Sequence, residues 1–182
     1  LVTAFVAFSF VPTVILFILA WGSVSSTMNK WFSLQIEKSL EESLNVAQSY
    51  YQSSSENVLH FAKTIAVKGL PDDIRSVAAQ KRQEYNVDAL WYFSPSGKEI
   101  AVSISKDIPE GSLVRPTTDA IQKALKEDYY FIETLSKGEV IRGLSPVYGI
   151  DSRVAGVVVV DRYLPKGLVK RMRDISNSFE EF

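Results

Sequence analysis

The first charged side chain in this 182-residue chain is Lys30, and residues 1–29 contain none. The stretch from Leu1 to Trp21 is almost wholly apolar. At about 1.5 Å of rise per residue, some twenty helical residues cross a hydrocarbon layer of about 30 Å. A buried core helix of that length normally keeps a polar face, whereas Phe5, Phe8, Phe10, Val14, Phe17 and Leu19 point all round. A cleavable leader wants small residues at the end of the run, and Ile18-Leu19-Ala20-Trp21 fits that poorly. Pro12 is tolerated in a membrane helix, and Trp21 and Trp31 suit an interface. The expectation is a retained transmembrane helix with its boundary at residues 1–29. No basic residue precedes the run, so flanking charge does not set its orientation. Opening on Leu1 rather than Met, the chain is expected to be a fragment.

All 20 Lys and Arg and all 21 Asp and Glu residues lie after this run, giving a net charge of −1 that argues against a nucleic-acid partner. With no cysteine the redox compartment is not legible. The remaining length suffices for one sizeable core.

From about Ser23 to Lys68 the pattern is one long helix. Ile36, Leu40, Leu44, Ala47, Tyr51, Ser54, Val58, Phe61 and Ile65 recur at steps of four and three, with Glu37, Lys38, Glu41, Glu42, Gln48 and Glu56 between. That seam suits a homodimer along the long helices, or a cover for a sheet. Gly69 ends the helix, and Pro71-Asp72-Asp73 opens another that Asn86 closes. Strands are expected over 88–93 and 99–104, with the turn Ser94-Pro95-Ser96-Gly97 between them and Ile100, Val102 and Ile104 on the drier face. Residues 106–116 form a loop, and Thr117 or Thr118 caps a short helix running to Lys126. Three more strands follow over 129–135, 139–148 and 154–163. Val154-Ala155-Gly156-Val157-Val158-Val159-Val160 lacks polar alternation, which marks a central strand covered on both faces. Pro165 opens a last helix with Leu168, Met172, Ile175, Phe179 and Phe182 in step, and it leads toward an expected second span.

The fold class is therefore α+β: a transmembrane helix continuing into a long helix packed on a five-stranded antiparallel sheet, with a C-terminal exit helix. This order resembles the Cache (PAS-like) sensor domains of bacterial transmembrane receptors, and among them the NtrY-type nitrogen-regulation sensor histidine kinases. The likeness is carried by Phe10-Val11-Pro12, Trp31-Phe32, Leu44-Asn45-Val46-Ala47-Gln48-Ser49-Tyr50-Tyr51 and Arg142-Gly143-Leu144-Ser145-Pro146-Val147-Tyr148. It implies an extracytoplasmic sensor domain over 30–164, an exit helix over 165–182, a bacterial inner-membrane location and a kinase core beyond Phe182. A chemoreceptor, a cyclic-nucleotide enzyme or a membrane-anchored interaction protein would share the same plan.

Catalytic motifs are scarce. His60 is the only histidine, and His60-Phe61-Ala62-Lys63 lacks the acidic residue that follows a phosphoacceptor histidine. A histidine-based zinc site would need further ligands. Ser103-Ile104-Ser105-Lys106 spells S-x-x-K at a strand end rather than at a helix start. No phosphate-binding glycine loop occurs, and nothing calls for a cofactor.

A ligand pocket is the better expectation. Arg142 shares a strand face with Val140 and Leu144. If that face is interior, its guanidinium meets either a small carboxylate-bearing ligand or an internal partner, Glu133 or Asp161. Asp161 shares parity with Val157 and Val159 and suits a ligand ammonium, or a pairing with Arg142 or Arg115. Trp91, Tyr92 and Tyr129 are the aromatic candidates for the lining. Arg142-Gly143-x-Ser145-Pro146 looks like the strand that supplies a carboxylate-binding arginine in dicarboxylate- and citrate-sensing relatives. Amino-acid-binding Cache domains carry Arg-x-Trp-Tyr, whereas Ala89 stands in the arginine's place before Trp91-Tyr92.

Overall fold

The computed structural model describes the backbone of residues 2–180, with side chains described except at 1–11, 13, 25–27, 29–37, 40, 175 and 178–182. The chain divides into two compact units, one of residues 1–45 with 175–182 and the other of residues 46–174. Helix α1 (Val2–Ala66) enters both.

In the first unit the described part of α1 is a run of exposed apolar side chains, among them Leu16, Phe17, Ile18, Leu19 and Trp21 at 63–69 % exposure. Phe17 and Trp21 stack at 6.3 Å, as residues four apart on a helix do. Among the described residues no helix is long and apolar enough to cross a membrane. The expected span over 1–29 lies in large part outside the described side chains, as do Trp31 and the outer steps Ile175, Phe179 and Phe182 of the last helix.

The second unit is a five-stranded antiparallel sheet, ordered β2-β1-β5-β4-β3, from β1 (Ala89–Phe93), β2 (Glu99–Ile104), β3 (Tyr129–Leu135), β4 (Gly138–Tyr148) and β5 (Val154–Pro165). The valine run does form the middle strand, and Val157, Val158, Val159 and Val160 are fully buried. Pro165 ends β5 rather than opening the helix, and α4 (Lys166–Glu180) starts one residue later. The drier face expected of β2 is absent: Val102 and Ile104 are exposed and Ala101 is buried, as suits an edge strand.

One face of the sheet is covered by helices. Val58, Ala62 and Ile65 of α1, Ala78 of α2 (Ile74–Glu84) and Val169 of α4 pack with Leu90, Tyr92, Ile141, Val158 and Leu164. From Tyr51 to Ile65, then, the apolar seam of α1 packs in the core on the sheet. Asp73 caps α2 by accepting from the Ser76 N–H at 3.2 Å, and Asn86 leaves it in the left-handed region at φ 49°. The other face is covered by residues 105–117 and α3 (Thr118–Ala124), which Thr117 caps at the Ala120 N–H. Ile121 and Ala124 close over Trp91, Phe93, Leu144, Val157 and Val159.

The close approach of α1 depends on Gly143. A Cβ there would lie 2.4 Å from the Val58 carbonyl carbon and oxygen, both backbone atoms that cannot swing away. Gly143→Ala is therefore expected to destabilise the protein by about 1–3 kcal/mol. Denaturant unfolding would check this, and a loss within about 0.5 kcal/mol, typical of a neutral surface change, would mean that α1 does not sit so close.

Candidate functional site

The sheet face under α3 and residues 105–117 carries a fully buried arginine. Arg142 on β4 stands directly across from Asp161 on β5, and both are 0 % exposed. Opposed residues of an antiparallel pair share one face, so this register alone brings the two charges together. Arg142 Nη1 donates to Asp161 Oδ2 at 3.3 Å. Two diagonal neighbours complete the cluster. On β1, Ala89 opposes Asp161, and Trp91, two residues on, donates its indole N–H to the same Oδ2 at 2.8 Å. On β3, Phe131 opposes Arg142, and Glu133 brings Oε2 to 3.0 Å from Arg142 Nε. That contact is an ion pair without hydrogen-bond alignment, since both atoms lack a hydrogen-bond partner.

The covering segment reaches down to the cluster. Arg142 Nη2 donates to the Val114 carbonyl. Nearby in sequence, Ser112 is 1 % exposed and its hydroxyl is unpartnered. Asp161 Oδ1 is also buried without a partner. One guanidinium thus faces two carboxylates. Burial raises the Asp161 pKa to about 6, and the nearby carboxylates of Glu133 and Asp88 push the same way, against the opposing pull of Arg142 and of the Trp91 hydrogen bond.

The other sequence candidates distribute unevenly. Tyr129 borders this face, with its hydroxyl donating to the Ala120 carbonyl at 2.8 Å, its ring 5.8 Å from Phe131 and the Lys123 ammonium 4.3 Å above it. Arg115 stays at the rim, donating to the Gly97 carbonyl with its guanidinium 5.3 Å over the Phe93 ring, and makes no pair with Asp161. Tyr92 lies on the opposite face, in the core beneath α1 and α2, because successive strand residues alternate. There it borders a cavity of about 160 Å³ with Lys68, Pro71 and Lys81, and burial pushes its pKa up to about 12. The Val114 carbonyl carried no sequence signal, since it joins the cluster only through the path of an irregular segment. His60 is exposed on α1, and the Ser103 hydroxyl accepts from Arg82 Nε at 3.1 Å.

No protein-family model matches the sequence, and no curated protein does. Among solved structures, the Vibrio cholerae histidine kinase DctB sensor domain aligns at TM-score 0.54 and 14 % identity, over 70 % of this chain and 55 % of that one. The ligand-binding domain of the Campylobacter jejuni chemoreceptor Tlp3, in complex with L-norvaline, aligns at 0.48 and 22 % over 78 % and 61 %. That of the Pseudomonas aeruginosa amino-acid chemoreceptor PctC, in complex with GABA, aligns at 0.49 and 20 % over 79 % and 66 %. The chain thus spans less than two thirds of each of these structures. The likeness to the DctB domain is one of fold, and it bears out the α+β, Cache-like architecture expected from the sequence.

The Asp161 environment has a thermodynamic consequence. A carboxyl whose folded pKa lies above its ordinary 3.8 binds its proton more tightly when folded, so its contribution to stability falls as pH rises from 3.8 to about 6. Asp161→Asn is expected to remove that fall. The wild-type melting temperature should therefore drop relative to that of the variant as pH rises through this range, and parallel curves would show that Asp161 titrates normally.

Proposed function

We propose that this chain is the sensing part of a transmembrane receptor, detecting a small molecule outside the cytoplasm at the Arg142–Asp161 cluster. The observation that carries the reading is the buried Arg142–Asp161 pair with its orphaned atoms and half-buried Glu133 beside it, set on the sheet face of a fold shared with a histidine kinase sensor domain. Residues 1–29 anchor the protein in the bacterial inner membrane. Exposed Phe17, Ile18, Leu19 and Trp21 support this, because soluble surfaces rarely keep contiguous apolar patches of that kind. Residues 30–164 form the extracytoplasmic sensor, and 165–182 lead toward a second span and a kinase core of the NtrY type. A homodimer through the N-terminal part of α1 is the proposed assembly, supported by the steps Ile36, Leu40 and Leu44 in the sequence.

Charge selects the ligand class. The guanidinium nitrogens of Arg142 already face Asp161, Glu133 and the Val114 carbonyl, so a ligand carboxylate must displace one of them. The orphaned carboxylate atom Asp161 Oδ1 is an acceptor, and with Asp161 ionised the trio carries a net negative charge. A ligand ammonium would supply the missing donor and balance that charge. A carboxylate on the same molecule can then take over part of Arg142. A bound ammonium would hold Asp161 ionised and fix β5 four residues before Pro165, where α4 follows. To signal, the ligand must bind one arrangement of this strand and helix more tightly than another.

Thermal-shift screening of the full chain with primary amines, amino acids and simple carboxylates tests the reading. A cognate amine at a hundredfold excess over its Kd should raise Tm by about 5–10 °C, and Asp161→Asn should abolish the rise. No shift with any amine, or a shift that survives in Asp161→Asn, would remove the cluster as the sensing site.

A further inference from the structure

A second candidate site lies away from the Arg142 cluster, between the β3–β4 hairpin and α4. A groove of about 370 Å³ has Leu135 and Val169 in its floor and Lys166, Lys170 and Arg173 along one wall. The three cations are spaced four and three apart, which puts them on a single face of α4. Glu139 is the acidic residue lining the groove, and it is already engaged. Its Oε2 accepts the Tyr51 hydroxyl at 2.6 Å, and its Oε1 lies 3.6 Å from Arg173 Nη2. Among the described residues, neither Lys166 nor Lys170 has a carboxylate at ion-pair distance. An apolar floor, a wall of three cations and one occupied carboxylate leave the groove without its counter-charge. Its volume lies within the range of small-molecule sites, about 300–1,000 Å³.

We propose that this groove binds a small amphipathic anion, a carboxylate on a short aliphatic chain, with the head group at Lys166 and Lys170 and the chain against Leu135 and Val169. The site is independent of the sensing role of Arg142. Arg173 is itself exposed and lies a long 3.6 Å from the buried carboxylate of Glu139, so it can turn toward the bound carboxylate while Glu139 keeps the Tyr51 hydroxyl. Such a turn would loosen the Tyr51–Glu139–Arg173 chain that links α1, β4 and α4.

Ligand-observed saturation-transfer NMR on the full 182-residue chain in amphipol, with hexanoate and 1-hexanol as probes, tests this. Hexanoate should receive saturation and hexanol little. Lys166→Gln with Lys170→Gln should weaken hexanoate by about tenfold or more, as loss of charge-assisted contacts does, and Lys170→Arg should retain it. Both lysines are exposed, so these variants are expected to fold, and an unchanged thermal melt checks that. The proposal is overturned if hexanoate receives no saturation, if hexanol binds as well, or if the double lysine variant binds hexanoate as wild type does.

Discussion

The ion pair between Arg142 and Asp161 is the point on which the sheet's chemistry turns. Four of the five strands meet there, β5 and β4 through the pair itself, β1 through Trp91 and β3 through Glu133. Taking both charges out of water costs several kcal/mol per ion, and apolar residues of similar volume generally fill such a position as well or better. A central sheet of valines supplies stability without help from charges. The pair is therefore poorly explained as a brace, and the recognition role proposed for it rests on Asp161 Oδ1, buried without a partner beside the guanidinium.

The two faces of the sheet divide the work. On the helical face Gly143 admits α1, and helices cover Tyr92, Ile141 and Val158. Across the sheet, the cover is a short helix and an irregular segment whose backbone meets the cluster at the Val114 carbonyl. Irregular cover of this kind opens at lower free energy than packed helices. The proposed recognition side is thus the one with irregular cover, and the helical side is the regularly packed one. Both faces meet at β5, which carries Asp161 and runs directly into α4.

Much of this was legible in the sequence because the signals were local. The valine run after Arg153 marked a central strand, and Thr117, Asp73 and Gly69 marked element ends. Parity put Arg142 with Val140 and Leu144 and Asp161 with Val157 and Val159, and it left Asp161 and Glu133 as alternative partners of Arg142 until the register joined the strands. Other features needed the register. Trp91 and Tyr92 are adjacent in sequence, yet only the pairing of β1 with β5 decides which one turns toward Asp161. Val114 was invisible because no periodicity governs the segment that holds it. The apolar alternation in β2 misled, since hydrophobic residues at an edge strand need not face the core. Residues 1–29 announced themselves by composition alone, although much of that stretch lies outside the described side chains.

The unfolding free energy of a double replacement tests most directly whether the cluster serves recognition rather than stability. Arg142→Met or Asp161→Leu alone should cost about 3–5 kcal/mol, because each breaks a buried pair by removing one partner. Together they should cost less than either one, leaving a folded protein deaf to its ligand. Losses that simply add would contradict the account and return the pair to the role of a structural brace.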